Sequence, residues 1–282
     1  MLRKSQQHFR ESCARIRRDG GTMRESLAWL RVAFLATAVV GWAGAALAQE
    51  SKSSSDSDQL EAEVEDENDP FERGNRFFFE MNDVLDTILL RPVSVTYKTI
   101  MPGFAQDGVH NFLNNLDAPV TFANDVLQGE MDRAGATMSR FVINSTVGIG
   151  GFIDVASEVG IPGHHEDFGQ TLAVWGVGEG AYLYTPLLGP STTRDMVGSV
   201  VDLAFNPLTY LAINDNNNAE WVPYARMGAE AIDLRSRNLE ALDNLKRTSV
   251  DFYVAIRSAY RQNRRFEINN GATDGEDLPP IE

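Results

Sequence analysis

His164-His165-Glu166-Asp167 sets two imidazoles beside two carboxylates, the side chains that ligate divalent metals. Adjacent side chains diverge, and beyond residue 48 the one other histidine is His110. The run therefore reads as a solvated turn after Pro162-Gly163. Gly176-x-Gly178-x-Gly180 has the outline of a phosphate loop. It lacks the Lys-Ser/Thr that follows such a loop, and Glu179 would repel a phosphate, so these read as turn glycines. Ser191, after Pro190, reads as a helix N-cap with Thr192-Thr193-Arg194-Asp195 in the first turn. A nucleophilic role would need a histidine base that nothing in the pattern indicates. No Gly-x-Ser-x-Gly or His-Glu-x-x-His occurs. No catalytic residue, metal or cofactor is assigned, and the chain does not read as an enzyme.

Uncharged amides point elsewhere. Asn111 and Asn115 share one helix face with Asn114 beside them, and Asn124 and Asn144 follow. An amide can hydrogen-bond a lipid headgroup without trapping it as a full charge would. The same side chains also serve as caps and interhelix links. Broad apolar faces are the second pointer. Phe78, Phe79, Leu89 and Leu90 widen an apolar stripe that begins at Phe77 beyond what a surface helix needs. Such a face is either core or a belt lying in a bilayer interface.

The elements that carry these residues are mostly helical. Phe77, Met81, Val84, Leu85 and Ile88 recur at helical spacing and predict a helix ending before Pro92. Val109, Phe112, Leu113 and Leu116 predict a second, closed by Asp117-Ala118-Pro119, with a short third over Val120 to Leu127. Met131 to Val142 predicts a fourth. Ala229 to Arg265 predicts one or two long helices with a break near Ser249. Strands are hard to find. Phe168 to Thr193 carries a single charge, Glu179, and is broken by glycine and proline. It is too broken to span a bilayer and too apolar for an ordinary loop. It reads as buried core with tight turns, or as a segment that meets lipid or lines a passage.

Composition sets the frame. The 282 residues are 43% hydrophobic and 23% charged, which describes a globular chain. Residues 1–48 read as an export signal: Val32 to Ala48 is uncharged, basic residues precede it, and Ala46-Leu47-Ala48 is a small-x-small cleavage pattern. Met23 is an alternative start, and an uncleaved anchor is the alternative to cleavage. Of 25 Lys/Arg and 40 Asp/Glu, the signal holds eight and three, so the exported part carries 17 against 37, a net of −20. That balance excludes nucleic-acid binding and attraction to anionic lipid. Cys13 lies in the signal, so the exported part has no cysteine for a disulfide or thiolate. Residues 49–68 read as a disordered acidic linker, 69–268 as the helical domain and 269–282 as a short disordered tail.

Ordered motifs run along residues 69–268. They include Asp69-Pro70-Phe71-Glu72-Arg73-Gly74-Asn75-Arg76, Arg91-Pro92-Val93 and Asn111-Phe112-x-x-Asn115-Leu116. Arg140-Phe141-Val142-Ile143-Asn144-Ser145-Thr146-Val147-Gly148-Ile149-Gly150-Gly151 and Asp154-Val155-Ala156 follow. Asp167-Phe168-Gly169-Gln170-Thr171-Leu172 and Pro186-Leu187-Leu188-Gly189-Pro190-Ser191-x-x-Arg194-Asp195 complete the order. The sequence resembles the MlaA (VacJ) family of outer-membrane phospholipid-transport proteins. The resemblance implies a mainly α fold, a ring of amphipathic helices around a polar channel, seated on the periplasmic side of the outer membrane. It implies removal of phospholipids from the outer leaflet and their transfer to a periplasmic lipid-carrier protein, with trimeric porins as partners. A non-transporting, porin-binding adaptor is the alternative. Asn111, Asn115 and Asn144 are the candidate lining of the passage, and Arg140, Asp154, Arg194 and Asp195 the candidate paired charges that hold the ring. Family members carry a cysteine just after the signal, whereas Ala46-Leu47-Ala48-Gln49 has none. The expectation is that the apolar belt and porin contacts anchor the protein instead.

Overall fold

A computed structural model describes residues 69–213 and 219–272. The predicted signal, acidic linker and residues 273–282 of the tail lie outside them. Residues 269–272 form an ordered turn in which Gly271 N donates to Phe266 O. They satisfy the orphan carbonyls of the last helix and so belong to the fold.

The chain begins with α1 (Glu72–Leu85), a π-helical turn over Asp86–Leu90 and α2 (Arg91–Ile100). The predicted stop before Pro92 is corrected: the helix continues through it. Proline lacks an N–H and its ring collides with the carbonyl four residues back. The π-turn absorbs both, because Arg91 N reaches five residues back to Asp86 O and Pro92 falls in the first turn of α2.

α3 (Gly103–Gln128) and α4 (Met131–Thr146) form an antiparallel pair. The two helices expected on either side of Pro119 are one. Leu113, Asn115, Val120, Thr121 and Asn124 are buried on both sides of that proline. Tertiary packing thus outweighs the roughly 3 kcal/mol that an interior proline costs. Gly129, at φ +83°, closes α3 in the left-handed conformation that glycine accepts without strain.

Two short helices, α5 (Val155–Glu158) and α6 (Phe168–Val174), are capped by Asp154 and Asp167, whose side chains accept from Ser157 N and Gln170 N. A hairpin that the sequence reading lacked follows: β1 (Tyr182–Thr185) pairs antiparallel with β2 (Gly189–Thr192). Its free edge is covered by α1. Asn75 donates to Tyr182 O and accepts from Tyr184 N, and Asn82 donates to Thr185 O and accepts from Leu187 N. Two amides seven residues apart, on one helix face, take the place of a third strand.

α7 (Thr193–Phe205) starts one residue later than expected. Thr192, not Ser191, is its N-cap and accepts from Asp195 N: the last residue of β2 leads directly into the helix. α8 (Pro207–Ile213), α9 (Val222–Arg237), α10 (Leu239–Thr248) and α11 (Phe252–Ile268) complete the chain. The predicted break at Ser249 is present, with another junction at Asn238.

Polarity is inverted relative to a water-soluble fold. Among the described residues, eight apolar side chains are buried against nineteen polar or charged ones. Large apolar side chains face outward, with Phe104 81%, Ile100 77% and Ile88 72% exposed. Burying polar groups is tolerated only where they bond one another, and exposing contiguous apolar groups is favourable only against another apolar phase. No described helix is long and apolar enough to cross a membrane.

Candidate polar passage

The α3–α4 pair and the turn after it build one cavity of about 460 Å³. Asn111, Asn115, Asn144, Arg140 and Asp154 all line it, with Asn114, His164 and His165. Helical spacing puts Asn111 and Asn115 on the face of α3 that meets α4. The turn at Gly148–Gly151 then presses on Asn115, since a Cβ at Gly151 would stand 2.6 Å from Asn115 Cβ. Asn111, Asn115 and Asn144 are each partnered. Asn111 donates to Phe152 O at 3.4 Å and Asn115 to Ser145 Oγ at 3.0 Å. Asn144 donates to Asp154 Oδ1 at 2.9 Å and accepts from Ala156 N.

Charges in this cavity are neutralised locally. Arg140 donates to Asp154 at 2.8 Å and to Ile161 O and Ser157 Oγ. Burial alone would raise the Asp154 pKa, but hydrogen bonds from Ser157, Asn144 and Arg140 bring it down to about 2. It is a carboxylate at any physiological pH.

A second cavity, of about 510 Å³, lies between α7, α9, α11 and the start of α6. It shares Asp117 and His165 with the first, so the two adjoin. Asp195 lines it, whereas Arg194 lines neither cavity and sits against Asp195 at 3.2 Å. Arg264 holds the group together. It clasps Asp167 through both terminal nitrogens at 2.6 and 2.7 Å and also reaches Asp195 at 2.8 Å. Burial would raise the Asp167 carboxyl, yet Arg264 and the Gln170 amide hold it at about 2. Asp195 is likewise held below its ordinary value, against its burial, by Arg264, Tyr260 and Arg194.

The candidate site residues therefore separate into two groups. Five line the first cavity, Asp195 lines the second, and Arg194 stands behind it. The sequence reading missed Arg226, Arg264, Asp202 and Glu230, which come from α7, α9 and α11 and converge only in the fold. No local spacing could have signalled them.

The solvated turn expected at His164 to Asp167 is also corrected. His164 Nε2 lies 2.9 Å from Asp125, a fully buried carboxylate that also accepts from Thr137. Glu166 is buried against Arg133 at 2.5 Å and Gln128 at 2.9 Å. His165 is exposed as expected, while His164 and Glu166 form a polar buttress that fastens the segment before α6 to α3 and α4.

Apolar side chains outside, amides and paired charges inside, and two adjoining polar cavities define a helical protein built to keep a polar interior within an apolar surround. The chain belongs to the MlaA lipoprotein family, whose model matches residues 67–267. It is 35% identical over 217 residues to the intermembrane phospholipid transport system lipoprotein MlaA of Haemophilus influenzae, covering 74% of this chain and 82% of that one. The Escherichia coli protein of the same name is 34% identical over 217 residues, covering 75% and 83%. An uncharacterized protein of Rickettsia felis is 40% identical over 201 residues, covering 71% and 78%. A solved structure described as the structural basis for maintenance of bacterial outer membrane lipid asymmetry superposes with a TM-score of 0.64 at 35% identity. The match covers 71% of this chain and 99% of that one. The family is one of transport lipoproteins and not of enzymes.

Proposed function

We propose that this protein carries phospholipids between membranes, withdrawing those that stray into the outer leaflet of the outer membrane and so maintaining lipid asymmetry. The observation that carries the reading is the inverted polarity around two adjoining cavities. A phospholipid headgroup cannot cross hydrocarbon without losing its hydration. Amides and paired charges replace that hydration along a protein-lined path, while exposed Phe77, Ile88, Ile100 and Phe104 give the helices an apolar exterior against acyl chains. No covalent step is required. Asn111, Asn115 and Asn144 line the path in this reading, and Arg140–Asp154 and Arg194–Asp195 hold its walls. The lipid is received by a periplasmic lipid-carrier protein, and trimeric porins hold the chain at the outer membrane. Direction, in this reading, is supplied from outside the chain.

The test is the outer-leaflet phospholipid content of a strain lacking the protein, rescued with the intact gene or with Asn111→Leu/Asn114→Leu. Asn115 is left intact because Gly151 packs on it. Transport predicts accumulation on deletion, full rescue by the intact gene and failed rescue by the double variant at normal abundance. Unchanged asymmetry on deletion would leave a non-transporting, porin-binding adaptor as the function.

A further inference from the structure

His164 fastens its segment with one ring nitrogen and leaves the other free. Nε2 lies 2.9 and 3.1 Å from the two oxygens of Asp125 and 3.2 Å from Thr137 Oγ1. An ionised carboxylate only accepts, so Nε2 carries a proton toward it and the tautomer is set. Nδ1 has no hydrogen-bond partner among the described residues, and it is not one of the buried atoms left unbonded. The ring is 15% exposed and lines the first cavity, so Nδ1 is the nitrogen available there. Fastening alone does not require an imidazole, since a glutamine amide would also donate to Asp125. What the imidazole adds is a second nitrogen on the far side of the ring.

The groups behind that ring are anionic. Asp125 is fully buried, and the Glu166 side chain is 2% exposed. Arg133 serves both carboxylates unequally: it donates to Glu166 at 2.5 Å and stands 3.9 Å from Asp125. His164 is the nearer partner of Asp125, and a buried carboxylate is costly unless paired. An anion at Nδ1 completes the arrangement. Both ring nitrogens then donate, Nε2–H to Asp125 and Nδ1–H to the anion, and the imidazolium lies between two negative charges. The cavity wall does not oppose an anion, because its two carboxylates are already paired, Asp154 with Arg140 and Asp117 with Arg226. Asn114 lines the same cavity, is exposed, and its amide has no partner among the described residues. His165 is exposed there too, but no carboxylate is bonded to its ring to fix it.

Resting on the transport reading, we infer that His164, oriented by Asp125, is the phosphate contact of the first cavity. Its Nδ1–H donates to the phosphodiester of a lipid headgroup, and the Asn114 amide is the second donor. His164 thus selects phosphate-bearing lipid over lipid with the same tails and no phosphate.

The experiment uses the full chain with isotope-labelled histidine in dodecyl maltoside, a detergent without phosphate. Dihexanoylphosphatidylglycerol is titrated in while the ring-nitrogen resonances are followed by NMR, and the resonance lost in His164→Gln is assigned to His164. The expected result is that this resonance moves, with Nδ1 protonated in the bound state, and stays in place with dihexanoylglycerol, which has no phosphate. His164→Gln still donates to Asp125. It is expected to weaken phospholipid affinity on the order of tenfold, the scale of one charge-assisted hydrogen bond, and to leave dihexanoylglycerol binding unchanged. Asp125→Asn keeps the shape behind the ring and removes its charge, and is expected to weaken phospholipid binding selectively in the same way. A ring that serves only as a buttress predicts an unmoved resonance, or equal loss of both lipids in His164→Gln, and either result overturns the inference. Inorganic phosphate moving the resonance where the phospholipid does not would make this a free-phosphate site and overturn the lipid assignment. If deletion of the gene raises outer-leaflet phospholipid while the resonance stays unmoved, the His164 contact alone falls. If deletion leaves lipid asymmetry unchanged while the resonance moves, the transport reading falls and the phosphate contact stands.

Discussion

Asp167 caps α6, receives both terminal nitrogens of Arg264 and lines the second cavity. Its pKa falls from 3.8 to about 2 on folding. A carboxyl with a depressed folded pKa stabilises the fold fully above its unfolded pKa and loses that contribution as pH falls through the folded one. Asp167 is therefore expected to contribute about 2 kcal/mol at neutral pH, lost between about pH 4 and pH 2. Urea denaturation across that range checks it: Asp167→Asn is expected to be less stable at pH 7 and to show a shallower acid loss. An unchanged slope would mean that the Arg264 clasp adds nothing to stability. Legibility at this scale follows range. Asn111 and Asn115 were readable as neighbours because one helical turn joins them. The partner of Asp167 was not, because Arg264 is 97 residues away. His164 to Asp167 misled for the same reason: a run of four polar residues looks solvated until Asp125 and Arg133 are seen to meet it.

At the scale of elements, two prolines show where local rules stop. Pro92 and Pro119 each predicted a helix end, and each sits within continuous helix because a π-turn or flanking burial compensates. The hairpin was hidden for another reason. Its strands are four residues each, and the alternation of Tyr182, Leu183, Tyr184 and Thr185 is too brief to outweigh the surrounding glycines. Glycine placement gives the sharpest test of packing between elements. α6 and α7 cross where a Cβ on Gly198 would lie 2.3 Å from Gly169 N, a backbone atom that cannot swing aside. Gly198→Ala is expected to destabilise the protein by about 1–3 kcal/mol through overpacking. Gly135, within α4, has nothing within 4 Å of the same position. Gly135→Ala is expected to stabilise by about 0.5–1 kcal/mol, by helix propensity alone. Thermal unfolding followed by circular dichroism separates the two. Equal effects at both sites would contradict the close helix crossing.

Across the whole molecule, the first described residue is tied to the last helix. The Asp69 side chain is 2% exposed and accepts from Asn75 at 2.6 Å, from Arg257 at 2.7 Å and from the Tyr253 hydroxyl. Phe79, Tyr182 and Tyr184 pack their rings around Tyr253, so α1, the hairpin and α11 meet at that point. The chain is thereby closed on itself, which a molecule with a polar interior needs more than one with an apolar core. Without a large buried apolar mass, the arrangement of its helices rests on buried hydrogen bonds and ion pairs, each costly to leave half made. Removing one partner of a buried pair typically costs about 3–5 kcal/mol. In a domain of about 200 residues that is a fall in Tm on the order of 10 °C. Asp69→Ala is expected to show that fall and to lose α1 and α11 together in hydrogen exchange, since the clasp joins both. Lys246→Met removes an exposed pair with Asp83 and is expected to cost less than about 1 kcal/mol. If Asp69→Ala frayed only the residues beside it and left α11 protected, closure would lie in the aromatic cluster, and Tyr253→Leu would then produce the larger fall.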